Sequence, residues 1–143
     1  MMFCDTSMVA KLYVVEAESK AVRALLEKDD QRFVSDLVRV ELLGVFHRQL
    51  REKIWPRGKF DAAVRQFNTD DIGGFWTWIP LDAVIIEAAA KTYATLPDTV
   101  FLRASDCLHL ITGVHNNFPE IFTYDRHQTL AAPALGLRPV KAS

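Results

Sequence analysis

Short apolar runs alternate along the chain with longer stretches in which apolar residues recur every three or four positions, a pattern that predicts strands and helices in turn. Met2 to Cys4 is a strand-like run ended by Asp5, and Ser7 to Tyr13 then sets Val9, Leu12 and Tyr13 at helical spacing. A second helix is predicted from Glu16 to Lys28, with Ala21, Val22, Leu25 and Leu26 on one face and the charged turn Lys28-Asp29-Asp30-Gln31 as its end. Arg32 to Ser35 is a minimal strand. Ser35 or Asp36 can cap the helix that follows, which runs through Val38, Glu41, Leu42, Val45 and Phe46 to about Glu52. Pro56 and Gly58 break the pattern, and Phe60, Val64 and Phe67 mark a helix that fades over Asn68 to Gly74, an excursion outside the sheet.

Phe75 to Pro80 reads as a strand with Trp76 and Trp78 on one face, suited to a core or a subunit interface. Asp82 is placed to cap the helix Ala83 to Leu96, and Pro97-Asp98-Thr99 leads into a helix that opens around Asp106. Ile121 to Tyr124 is a strand, Arg126 to Leu135 a short helix stopped by Gly136, and Leu137 to Val140 an edge strand able to accept Pro139. Such alternation predicts an α/β fold with a largely parallel central sheet flanked by helices.

A length of 143 residues, half of them hydrophobic, suits a single domain spanning 1–143. The formal net charge of -1 supplies no overall positive field, so binding to nucleic acid would need a local basic patch. Cys4 and Cys107 form no CxxC pair and read as reduced core residues, which with the lack of a signal-peptide pattern predicts a cytoplasmic protein. The apolar stretch Ala83 to Ala90 is broken by Glu87 and is too short to cross a membrane. His47, His109, His115 and His127 lack zinc-ligand spacing, no Ser or Cys stands in a nucleophile motif, and none of these is assigned a catalytic role.

The acids are more informative. In a parallel sheet the carboxyl ends of strands and the amino ends of the following helices share one edge, where ligands are usually bound. Asp5 and Asp125 end strands there, Asp106 lies in the opening turn of its helix, and Glu41 lies less than two turns into its own. Glu41 shares a face with Val38, Leu42 and Val45, an expensive position for a charge without a partner. Each acid has a plainer reading alone: Asp106 as a first-turn acid on the helix dipole, Asp5 and Asp125 as turn formers, Glu41 as the partner of Arg39 or another arginine. Their coincidence favours a site. Two carboxylates about 4 Å apart repel by roughly 4 kcal/mol at an effective dielectric near 20, so clustered acids share protons or bind cations. Hard oxygen ligands favour Mg2+ or Mn2+, and the chemistry that fits is phosphodiester hydrolysis by a metal-activated water.

Asp5-Thr6-Ser7 running into Lys11-Leu12-Tyr13, Val40-Glu41-Leu42-Leu43, Leu102-Arg103-Ala104-Ser105-Asp106-Cys107-Leu108-His109-Leu110, and Thr123-Tyr124-Asp125 followed by Ala134-Leu135-Gly136-Leu137 together resemble the PIN-domain ribonucleases, more closely the VapC-like toxins of toxin–antitoxin pairs. The resemblance implies a three-layer PIN-like fold and an Mg2+- or Mn2+-dependent endoribonuclease. It further implies that Asp5, Glu41, Asp106 and Asp125 form the catalytic metal site, with Thr6 and Thr123 orienting acids. Cys107 stands where the family often has a small residue, which leaves the ligands intact. The resemblance also implies an RNA substrate, a homodimer, and a cognate antitoxin that reaches into the acidic groove.

Residues 47–59 carry five Lys or Arg against one acid and are either an RNA-backbone patch or a solvated helix end, with Trp55 packed beneath the loop or stacked on a base. The rival readings are a PIN-like RNA- or protein-binding module without catalysis, and an aspartate-based phosphatase or receiver domain. The latter two would need a second acid beside Asp5 and a late lysine in the sheet, and neither is evident.

Overall fold

The computed structural model describes residues Met1 to Ser143. Its centre is a five-stranded sheet, β1 (Met2–Cys4), β2 (Arg32–Ser35), β3 (Thr77–Ile79), β4 (Glu120–Phe122) and β5 (Arg138–Val140), in the order β3-β2-β1-β4-β5. Every pairing is parallel, as the strand–helix alternation requires. From β1 the chain builds outward to β2 and β3, then returns across the sheet to β4 and β5. The switch point therefore lies between β1 and β4, the crevice in which open α/β sheets hold ligands.

Seven helices cover the faces: α1 (Thr6–Ala10), α2 (Ser19–Leu26), α3 (Leu37–Arg51), α4 (Arg57–Ile72), α5 (Ala83–Thr95), α6 (Ala104–His115) and α7 (Arg126–Ala131), the last continuing as a 3-10 turn over Ala132–Leu135. The pleat divides the core. Met2 and Cys4 join Met8, Val22, Val38, Leu42 and Phe46 on one face, while Phe3 between them joins Ile85, Leu110, Ile121 and Leu137 on the other. Gly113 is what lets α6 lie so close to β1, since a Cβ there would sit 2.8 Å from a Phe3 ring carbon. Gly136, at φ 83°, ends the 3-10 turn as predicted, and Pro139 sits on the edge strand that can spare its N–H.

Several predicted boundaries move: α1 ends at Ala10 rather than Tyr13, β4 covers Glu120–Phe122 rather than Ile121 to Tyr124, and three others shift where side chains bind across elements. The helix α2 starts at Ser19, since Glu16 and Glu18 are held by Lys11, and the Ser19 hydroxyl accepts from the Glu16 N–H at 2.9 Å. The helix α4 does not fade at Asn68 but runs to Ile72. There Asp70 accepts from the Tyr13 hydroxyl at 2.7 Å, and Asp71 from Trp78 Nε1 at 2.6 Å and from Arg39 at 2.8 Å. Strand β3 is confined to Thr77–Ile79, because the Arg32 guanidinium lies 3.8 Å from the Phe75 ring centre and its Nε donates to the Phe75 carbonyl at 2.8 Å. Trp76 is buried and Trp78 packs against the same core. No helix is long and apolar enough to cross a membrane.

Candidate active site

The four predicted acids come from four different elements and all stand at the carboxyl edge of the sheet or in the first turns of the helices beyond it. Asp5 follows β1 directly and caps α1, accepting from the Met8 N–H at 3.0 Å. Its other partners are hydroxyls: Ser7 donates at 2.7 and 2.9 Å to its two oxygens, and Thr123 at 2.6 Å. Only 1% exposed, it has no cation bonded to it. Burial raises the carboxyl above its ordinary value, against the pull of the His109 charge and the Thr123, Ser7 and Met8 hydrogen bonds.

Across the switch point, Thr123 links Asp5 to Asp125, because the same hydroxyl accepts from the Asp125 N–H at 2.9 Å. Asp125 caps α7 through the Gln128 N–H at 2.8 Å. Asp106, 4% exposed, lies in the first turn of α6, where the helix dipole favours an anion. Both acids are joined to Arg103, whose Nε donates to Asp106 at 2.9 Å and whose terminal nitrogen donates to Asp125 at 3.3 Å. Gln128 adds a longer contact of 3.4 Å from its Nε2 to Asp106, and its own side-chain oxygen is buried without a partner.

Glu41 is the fifth residue of α3, about 6 Å along the axis from its start at 1.5 Å per residue. The partner that its apolar face demands is His109, whose Nε2 bonds Glu41 Oε1, while the Thr6 hydroxyl donates to the same oxygen at 2.8 Å. Burial pushes the Glu41 carboxyl up, but the His109 hydrogen bond and charge, then Thr6 and the field of Arg103, prevail and hold it below its ordinary value. His109 is 1% exposed and its Nδ1 is buried with no partner.

Several expectations change. Arg39 does not partner Glu41; it bonds Asp71 at 2.8 Å and lies 3.7 Å from the Trp78 ring centre, because in α3 it points to the α4 side. Thr6 orients Glu41 rather than its neighbour Asp5, which Thr123 and Ser7 serve. Residues 47–59 start near the far end of α3: Arg51 is about 15 Å along the helix from Glu41, and Trp55 is buried at 4% exposure, tilted against Phe46 at 5.6 Å. Trp55 is therefore a core residue and no stacking platform. Cys4 and Cys107 are free, buried thiols, both pushed upward by desolvation. Ser7, Arg103, His109 and Gln128 were missed as site residues. His109, three positions after Asp106 on an otherwise apolar helix, carried the one sequence signal available.

Four carboxylates on one edge suit a hard divalent cation by charge and ligand type. As arranged, no three Asp, Glu, His or Cys side chains converge closely enough to hold one ion between them. Arg103 draws two of the acids to itself and His109 holds a third.

Residues 2–132 match the PIN domain model, and the chain belongs to the PIN-domain family. No curated protein matches it by sequence. Among solved structures, its fold is similar to that of VapC20 from Mycobacterium tuberculosis, described as a sarcin-ricin loop cleaving toxin, at 16% identity over 96% of both chains with a TM-score of 0.72. It is likewise similar to a chain of VapBC2 from Rickettsia felis bound to a promoter DNA fragment, at 13% identity over all of both chains and a TM-score of 0.70. A third similar structure is FitAcB from Neisseria gonorrhoeae, at 18% identity over 97% of this chain and 96% of that one, with a TM-score of 0.66.

Proposed function

We propose that this single-domain protein is an Mg2+- or Mn2+-dependent endoribonuclease, the toxin of a toxin–antitoxin pair, acting as a homodimer in the cytoplasm under control of a cognate antitoxin. What supports the reading is that Asp5, Asp106 and Asp125 are linked in turn through Thr123 and Arg103 beside the β1–β4 switch point, with Glu41 tied to the same edge through Thr6, the residue after Asp5. These four would hold the ion, which when bound would neutralise phosphate charge and make a water acidic enough to attack. The toxin assignment draws on the fold shared with VapC20 and with chains of the VapBC2 and FitAcB structures.

The protein's own residues do the positioning. Ser7, Thr123 and the Met8 N–H fix both oxygens of Asp5, His109 and Thr6 fix one oxygen of Glu41, and the other Glu41 oxygen has no protein donor. Orienting bonds of this kind spare a site the entropy of ordering its ligands when an ion arrives. Burial raises the Asp5 pKa, and a cation beside it would act in the opposite direction and favour its charged form.

Incubating purified protein with total cellular RNA tests the reading, with Mg2+ or Mn2+ and then with chelator, beside Asp5→Asn and Asp106→Asn. Discrete fragments that vanish in chelator and in both variants are expected. Identical fragments from wild type and variants would mark a contaminant and remove the proposal. Metal binding without cleavage would favour a PIN-like binding module instead.

A further inference from the structure

We infer that Arg103 is a working part of the acid site, an internal cation that clamps Asp106 and Asp125 and has to release them before a divalent ion can be held there. The inference rests on the metal-dependent reading above. One guanidinium spans both acids through separate nitrogens, at 2.9 and 3.3 Å, a task that suits the planar fork of arginine. Asp106 is 4% exposed and has no other cation bonded to it. While Arg103 holds these carboxylates, no three ligating side chains meet.

Helix stability does not account for an arginine at this position. Arg103 is the N-cap of α6, makes no side-chain capping bond, and puts positive charge at the end of the helix where the dipole disfavours it. Its side chain is 51% exposed, so it can swing into solvent without unpacking anything, and a half-exposed ion pair is weak enough for a divalent ion to displace. Gln128 marks the place the ion would gain. It is 3% exposed, its Nε2 touches Asp106, and its buried side-chain oxygen accepts no hydrogen bond in the present arrangement.

Calorimetric titration with Mn2+ of the wild type, Arg103→Gln and Arg103→Lys tests this without reference to activity. Removing one competing cation should tighten Mn2+ binding roughly three- to tenfold at low salt, a gain that shrinks as salt screens the half-exposed pair. Arg103→Lys, charged but unable to fork, should fall between the two. In the wild type, the Arg103 Nε–H resonance should shift on adding Mg2+, a readout that does not depend on any variant folding. Equal or weaker Mn2+ binding by a folded Arg103→Gln, or an Nε–H signal indifferent to Mg2+, would overturn the exchange and leave the nuclease reading standing. Absence of binding by the wild type as well would bring down both.

Discussion

Two corners of the same acid edge are built on opposite principles. At the Asp5 corner a fully buried carboxylate is held by hydroxyls and a backbone N–H, with no cation bonded to it. At the Asp106–Asp125 corner the charge is balanced by one half-exposed guanidinium. Neutral donors inside the protein fix geometry but leave the desolvation cost of the charge in place, whereas a half-exposed arginine balances charge without being packed in place. The first corner is therefore a rigid anchor under electrostatic tension, and the second is exchangeable. Glu41 stands between these cases: His109 and Thr6 hold one of its oxygens and leave the other free of protein donors.

The largest effect should come from removing the anchor. Asp5→Ala strands the Ser7 and Thr123 hydroxyls and uncaps α1, and should cost about 2–4 kcal/mol of stability in urea unfolding with chelator present. Asp5→Asn keeps an acceptor without the charge and should be at least as stable as wild type under the same conditions. A large loss for Asn as well would show that the charge itself is needed, erasing the contrast between the corners. Next in size is His109→Ala, which opens a buried space and leaves Glu41 to Thr6 alone, at about 2–3 kcal/mol.

The pH dependence separates the acids by sign. Asp5 has a raised carboxyl, so its contribution is fully present below the unfolded value near 3.9 and is lost as pH climbs through its folded value. In metal-free unfolding measurements the advantage of Asp5→Asn over wild type should therefore grow as pH rises from about 4, then level off. Glu41, held low, behaves inversely: its contribution exists above the unfolded value near 4.3 and fades as pH falls through its lower folded value, so the cost of Glu41→Gln should shrink in acid. The smallest change should be that of Arg103→Gln in chelator, where a half-exposed guanidinium leaves its acids and an unfavourable helix-end charge goes with it. A melting temperature lowered as far as that of His109→Ala would make Arg103 a structural pillar and not an exchangeable cation.

Much of this fold could be read from local pattern. Asp82 caps the helix it precedes, Gly136 stops the last turn in the left-handed region, and Pro139 marks an edge strand. These features depend on residues a few positions apart, where backbone chemistry dictates the outcome. The extent of α4 was not legible in this way, because Asp70 and Asp71 look like a helix end until Tyr13, Arg39 and Trp78 are brought against them.

The acid set divides along the same line. By itself the sequence determined that Asp5 ends a strand, that Asp106 opens a helix, and that Glu41 lies on an apolar face and needs a partner, since periodicity and burial cost are local properties, whereas Asp125, expected to end a strand, stands three residues beyond β4 as the cap of α7. Only the tertiary structure decided who the partners are. His109 meets Glu41 from a helix 68 positions away, Thr123 meets Asp5 across 118, and Arg103 spans Asp106 and Asp125 because the return from β3 to β4 brings α6 and α7 together at the switch point. Charge compensation acts through space, so its choice of arginine, imidazole or hydroxyl at each acid waits on the packing that brings them within reach.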